Sequence, residues 1–238
     1  IFMFGYRTIG FGGKASRGEE FTPGDLNSYK FLGTADSLLL PSSEDWNFGE
    51  GDWTIDFRYY TTATATNEAL FRWHSVNMEI RRMSSGNWYL SHQQGGNPIG
   101  TWSPSILTWY HIACVMSSNT WTVYVDGVAL SMSDNTSVPS IGNTESVHIG
   151  QRTNQAFDFI GNLDEFRVSK GVARWTTNFD PPTAEYTADG STELLIHSGE
   201  AIATGTTGSA ATFVESGDNG HTVTEVSNAI RDTTVYYF

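Results

Sequence analysis

Trp53-Thr54-Ile55-Asp56-Phe57-Arg58-Tyr59 places four large apolar residues at every second position, with Thr54, Asp56 and Arg58 between them. Side chains of a strand point alternately to its two faces, so this alternation predicts a half-buried strand. Tyr110-His111-Ile112-Ala113-Cys114-Val115-Met116 reads as a second, more continuously apolar strand. Trp121-Thr122-Val123-Tyr124-Val125 reads as a third. Asp126-Gly127 then predicts a tight hairpin into Val128-Ala129-Leu130, because this dipeptide tolerates the positive φ angles of a two-residue turn. Outward from these, strands are expected over 37–40, 69–73, 78–82, 88–91, 146–149, 162–169 and 193–197. Clusters such as Gln94-Gly95-Gly96-Asn97-Pro98 and Phe48-Gly49-Glu50-Gly51-Asp52 separate them. No window has helical periodicity. Many short strands divided by turn residues predict an all-β sandwich or barrel.

Composition narrows the function classes. The 238 residues carry 13 Lys+Arg against 26 Asp+Glu, a formal net charge of −13. That balance argues against a general nucleic-acid binder and against docking on anionic membranes. No apolar run is long enough to insert into or span a bilayer. The single cysteine, Cys114, excludes an intrachain disulfide and a four-cysteine zinc site. Packing must therefore carry stability, and eight Trp, ten Tyr and 14 Phe supply it. The opening Ile1 is not methionine, which suggests a processed chain or a piece of a longer one. The stretch IFMFGYRTIGF lacks the apolar centre and cleavage site of a signal peptide.

Several stretches then carry a family resemblance in their order along the chain. They are Phe31 to Leu38, Phe48 to Phe57, Thr108-Trp109-Tyr110-His111-Ile112-Ala113, Val123-Tyr124-Val125-Asp126-Gly127, His148-Ile149-Gly150 and Gly161 to Val168. From about Lys30 to Tyr186 the chain resembles the laminin-G-like, concanavalin A-like jelly-roll modules. The resemblance implies an all-β, two-sheet antiparallel jelly-roll sandwich with extended N- and C-terminal strand segments. The stretches Gly171-Val172-Ala173-Arg174-Trp175 and Asn178-Phe179-Asp180-Pro181-Pro182-Thr183 are similar to the modules of bacteriophage structural proteins and large bacterial surface proteins. This divides the chain into an N-terminal arm (1–24), a sandwich (25–186) and a C-terminal segment (187–238). The last resembles the start of a following repeat. Either the chain is a slice of a tandem array, or its C-terminal end supplies the opening strand of the fold, in cis or from a neighbour.

For catalysis, the resemblance brings in glycoside hydrolases of the same fold, which need two neighbouring carboxylates. No E-x-D-x-x-E pattern exists here, and Asp164 and Glu165 are adjacent, so on a regular strand they face opposite ways. A serine nucleophile has no G-x-S-x-G elbow and zinc has no H-E-x-x-H motif. A hydrolase would have Glu165 as its residue to test. Calcium is a candidate cofactor, with Asp36, Asp158 and Asp164 as candidate ligands at strand ends; the competing reading is that such aspartates bond turn amides. Sugar binding needs aromatic platforms beside planar polar groups. The candidates are Trp102, Gln93, Asn97, Tyr89, Arg72 and Arg81, with Trp102 balanced between platform and core. Trp53, Trp109 and Trp121 are expected in the core, as are His111 and Cys114. Asn135-Thr136-Ser137 is a glycosylation sequon.

The arm Ile1-Phe2-Met3-Phe4-Gly5-Tyr6 is too apolar to hang in water. An extended arm can add a strand to an open sheet edge, and repeated head to tail this contact builds a filament or shell. Phe2, Phe4, Tyr6, Tyr236, Tyr237 and Phe238 are the candidate assembly residues. The leading expectation is thus a non-catalytic structural or adhesive subunit: a homo-oligomer or repeated assembly, extracellular, on a cell surface or in a virion. The alternatives are a carbohydrate-binding module with glycan partners and, third, a polysaccharide hydrolase.

Overall fold

The computed structural model describes residues 28–33, 36–63, 66–73, 78–91, 100–133, 145–152, 157–197, 212–214, 222–226 and 230–232. The arm residues Phe2, Phe4 and Tyr6, the end residues Tyr236, Tyr237 and Phe238, the loop residues Gln93 and Asn97, and the sequon at 135–137 lie outside the described residues.

Sixteen strands are present among these residues: β1 (Ser28–Leu32), β2 (Ser37–Leu40), β3 (Trp53–Thr61), β4 (Glu68–Trp73), β5 (Met78–Arg82), β6 (Asn87–Ser91), β7 (Gly100–Thr101), β8 (Trp109–Ser117), β9 (Thr120–Val125), β10 (Val128–Ala129), β11 (Val147–Ile149), β12 (Ile160–Lys170), β13 (Thr192–Ile196), β14 (Thr212–Val214), β15 (Thr222–Val226) and β16 (Ile230–Asp232). One short 3-10 turn, Glu44–Trp46, is the only helical element among them. The first sheet runs β10-β9-β8-β3-β12-β1-β16, with β13 also on β12; the second runs β14-β15-β2-β11-β4-β5-β6-β7. All pairings are antiparallel, and the crossovers between non-consecutive neighbours are those of a jelly roll.

The core between the sheets follows the alternation. Trp53, Ile55, Phe57 and Tyr59 are buried there with Phe71, Trp73, Ile80, Trp121, Val123 and Phe166. Asp126 (φ 47) and Gly127 (φ 74) form the expected two-residue turn between β9 and β10. The last strands complete both sheets within the chain: β15 pairs β2 and β16 pairs β1.

One expectation fails in an instructive way. β3 is buried on both faces, not one. Its outer face is covered by the extended segment 171–186. Thr54 Oγ1 donates to the Val172 carbonyl (3.1 Å) and accepts from the Arg174 amide (3.0 Å), and Arg58 donates to the Pro182 carbonyl. Trp175 and Phe179, stacked with centroids 4.1 Å apart, pack on Ala113, Val115 and Tyr124. This second small core explains why the polar positions of β3 leave water. Periodicity reports only that two faces differ; it cannot report a strap laid over the second face.

A bulge corrects a second expectation. The register of β12 slips between Asp164 and Arg167, and Glu165 takes φ 51. Leu163 and Phe166 both enter the core, so Asp164 and Glu165 lie between two inward residues instead of on opposite faces. Both turn away from the core.

Candidate functional site

The outward face of the second sheet carries a polar row that cross-strand register dictates. His148 on β11 opposes Arg72 on β4, and Arg72 opposes Glu79 on β5. Opposed residues share a face. Their neighbours Val147, Ile149, Phe71, Trp73 and Ile80 fill the core, so the row faces away from it.

Glu79 is the centre of this face. Its side chain is 1% exposed, and its two oxygens accept from Arg72 Nη1 and Arg81 Nη1, each at 3.0 Å. A third cation, Arg152, stands 3.8 Å from the same carboxylate without a hydrogen bond. Arg81 also lies over the Tyr89 ring at 4.9 Å, and Arg81 and Arg152 both lie over Phe157, at 5.7 and 5.1 Å. Burial draws Arg72 below the usual arginine range; Glu79 opposes that, and the charge of Arg152 adds to it. Such a face, aromatic rings beside planar donors, can stack on a sugar ring and bond its hydroxyls.

Of the residues singled out in the sequence, Tyr89, Arg81 and Arg72 come together here. Trp102 does not join them. It packs edge-on against Tyr110 at 4.7 Å, over the end of the core. Glu79, Arg152 and Phe157 were not legible as partners, because register and the base of the 150–159 loop, closed by the Phe159 amide on the Gly150 carbonyl (2.9 Å), bring them together.

Asp36, Asp158 and Asp164 are not gathered into one group of ligating atoms. Asp36 is buried and accepts from the Leu32 amide at 2.7 Å, the turn role weighed against calcium. Asp158 is half-buried and Asp164 buried opposite Arg58. Among the described residues, the set with donor atoms close enough to hold a metal is Glu165, Glu185 and His197, all within 4.8 Å of one another. Here His197 Nδ1 lies 2.9 Å from Glu165 Oε1, and Glu165 Oε2 accepts from the Tyr186 amide at 2.6 Å. Burial alone would lower His197. The Glu165 hydrogen bond outweighs it, with the charges of Glu165, Glu185 and Asp164, and His197 sits above its ordinary 6.5. A raised folded-state value means the stabilisation is complete below about pH 6.5 and is lost as pH rises through the raised value. The unfolding free energy of wild type minus that of His197→Gln, from urea titrations, is therefore expected to be largest near pH 6 and to shrink as pH rises above about 6.5.

Under the strap, the outer face of the first sheet holds a buried charge network. Arg167 grips both oxygens of Asp56 (3.0 and 2.9 Å), His111 Nε2 lies 3.4 Å from Asp56, and Arg167 lies over the Tyr186 ring at 4.3 Å. Burial pushes Asp56 up, but the His111 hydrogen bond and the Arg167 charge hold it below the usual carboxylate range. His111 is lowered by burial and is neutral near pH 7. It is buried, but on the outer face opposite Arg58 and under the strap, not in the core between the sheets as expected, and its Nδ1 has no partner; Cys114 is in that core, with its thiol pushed up by burial and by Asp56. Trp53 and Trp121 are core; Trp109 is not. It lies partly exposed on the outer face against Tyr60 (5.2 Å), because its register partner is the outward Tyr60.

The fold and this register are those of a jelly-roll module, and the chain belongs to the concanavalin A-like lectin/glucanases superfamily, whose family model matches residues 32–176. Among solved structures it is similar to a protein of Bacteroides ovatus proposed to bind carbohydrate (13% identity, TM-score 0.67, 87% of this chain and 60% of that one). It is also similar to domain 4 of an extracellular arabinanase of Geobacillus stearothermophilus, solved with arabinotriose (20% identity, TM-score 0.51, 61% of this chain and 71% of that one). The chain thus spans less than two thirds of the Bacteroides structure. No curated protein matches the sequence.

Proposed function

We propose that this chain is a non-catalytic carbohydrate-binding module acting outside the cell, with the outward face of the second sheet as its glycan surface. The carrying observation is the Tyr89–Arg81–Glu79–Arg72 cluster: a ring, two guanidinium groups and a carboxylate on one sheet face. The Bacteroides and arabinanase structures support the reading, since each shares the fold and is tied by its description to a sugar ligand. A hydrolase has less in its favour. Both oxygens of Glu165 are already held, one by His197 and one by the Tyr186 amide. A filament built by strand exchange also has less, because β15 and β16 find their partners within the chain. Among the described residues no helix is long and apolar enough to cross a membrane.

The test is a glycan array followed by calorimetry on the best ligand. Wild type is expected to bind, and Tyr89→Ala to bind about tenfold more weakly, the loss of one stacking contact. Failure to bind any glycan, or full binding by Tyr89→Ala, would sink this surface.

A further inference from the structure

Charge at this face is not balanced. Three guanidinium groups surround one carboxylate, so the cluster carries a net of +2 in a chain whose formal net charge is −13. Each oxygen of Glu79 already accepts one hydrogen bond, from Arg72 and from Arg81. Arg152 is the surplus cation. It makes no hydrogen bond among the described residues, is held at 3.8 Å from Glu79 and rests on Phe157, with its side chain 26% exposed. Its Nε and that of Arg81 are both buried and have no acceptor. A guanidinium presents donors in a planar fork that matches the two oxygens of a carboxylate or sulfate. Those two Nε groups are closed to solvent, so a ligand meets instead the outer Nη groups of Arg152, which have no acceptor among the described residues, and an anion arriving there beside Arg81 would satisfy them.

We infer that the glycan bound here is acidic, with the carboxylate or sulfate of one sugar residue seated against Arg152 and Arg81 and a sugar ring against Tyr89. This inference rests on the carbohydrate-binding reading. It narrows that reading to uronic-acid or sulfated glycans. An extended polyanion such as nucleic acid fits poorly, because beyond the cluster it would meet a chain with an excess of carboxylates.

The experiment prints polygalacturonate, alginate, hyaluronan and a sulfated galactan beside their methyl-esterified or desulfated forms, and probes them with the full chain and with Arg152→Gln and Arg152→Lys. Calorimetry then measures the strongest pair. Esterification or desulfation is expected to weaken binding by roughly tenfold, the value of a charge-assisted contact, and added salt to weaken only the acidic form. Arg152→Gln should lose the same roughly tenfold on the acidic form and nothing on the neutral one, with Arg152→Lys in between. Arg152 is the position to replace because among the described residues it makes no hydrogen bond, and the fold loses only its 3.8 Å contact with Glu79 and its place over Phe157. Binding preferred by uronans alone or by sulfated glycans alone identifies which anion is read. Equal binding of acidic and neutral forms, or an unchanged preference in Arg152→Gln, overturns the inference and leaves the glycan reading standing. Binding of no glycan, acidic or neutral, overturns both.

Discussion

Replacing Glu68 with alanine is expected to lower the unfolding free energy by about 3–5 kcal/mol, measured by urea titration. Glu68 on β4 and Arg82 on β5 are 0% and 1% exposed. Their pair is fully hydrogen-bonded: Arg82 Nη2 lies 2.8 Å from Glu68 Oε1, and Arg82 Nε is 3.0 Å from Oε2. Tyr59 donates its hydroxyl to the same oxygen at 2.7 Å, and Thr61 reaches Oε1 at 3.3 Å. Burial pushes the Glu68 carboxyl up, and Arg82, Tyr59 and Thr61 pull against it without fully offsetting it. Removing the carboxylate would leave a guanidinium in a site with almost no access to water, and an uncompensated buried charge is far costlier than the pair is beneficial. The double replacement Glu68→Leu with Arg82→Leu should therefore recover most of the loss. If the double variant were no more stable than the single one, desolvation of the orphaned arginine would not be the cause.

Gly127→Ala should be the second severe change, and it reports on the strap, not on the sandwich core. Gly127 has φ +74, where an L side chain is strained. A Cβ there would stand 1.8 Å from the Phe179 carbonyl oxygen and 2.8 Å from its carbon. Both atoms belong to backbone, so no rotamer change relieves the clash. The strap must lift, and with it go the Phe179 amide to Gly127 carbonyl bond (2.9 Å) and the Ala129 amide to Asn178 bond (3.0 Å). The Trp175–Phe179 stack over Val115 and Tyr124 would open as well. Gly171→Ala is the control. Its φ is +76, yet nothing lies within 4 Å of the added carbon, so it pays conformational strain alone, of the order of 1 kcal/mol. The excess of Gly127→Ala over Gly171→Ala isolates the steric part. Near-ultraviolet dichroism should show Trp175 losing its fixed environment only in the former. Equal costs for the two would mean that the strap adapts freely.

How much of this was legible in advance differs between fold and site. The strands over 37–40 and 78–82 have the bounds expected from sequence, and the other expected strands differ by a residue or two, as with β12, which begins at Ile160 instead of Asn162; β1 and β7 were not expected, and β14, β15 and β16 were foreseen only as unplaced strands of the C-terminal segment. Alternation over Trp53–Tyr59 assigned the inner face correctly. The site was legible only as residue types. Tyr89, Arg81 and Arg72 were named as candidates, and the structure places them together; Trp102 was named beside them, and it is packed over the core end. Glu79, which joins the arginines, and Arg152, which is left over, had no local signal.

Sequence by itself determined the class of this protein: an acidic, disulfide-free chain whose period-two apolar pattern and Asp126-Gly127 turn can be satisfied only by strands with a common inner face. These are properties of neighbours along the chain, where pleat and turn geometry act directly. Tertiary structure alone decided what the other faces do. The bulge at Glu165 resets the parity of β12, the strap 171–186 buries Asp56 and Arg167, and the register of β4, β5 and β11 brings three arginines to one glutamate. Each depends on contacts between residues tens of positions apart, whose pairing is set by which apolar faces pack together and is not encoded in any single stretch.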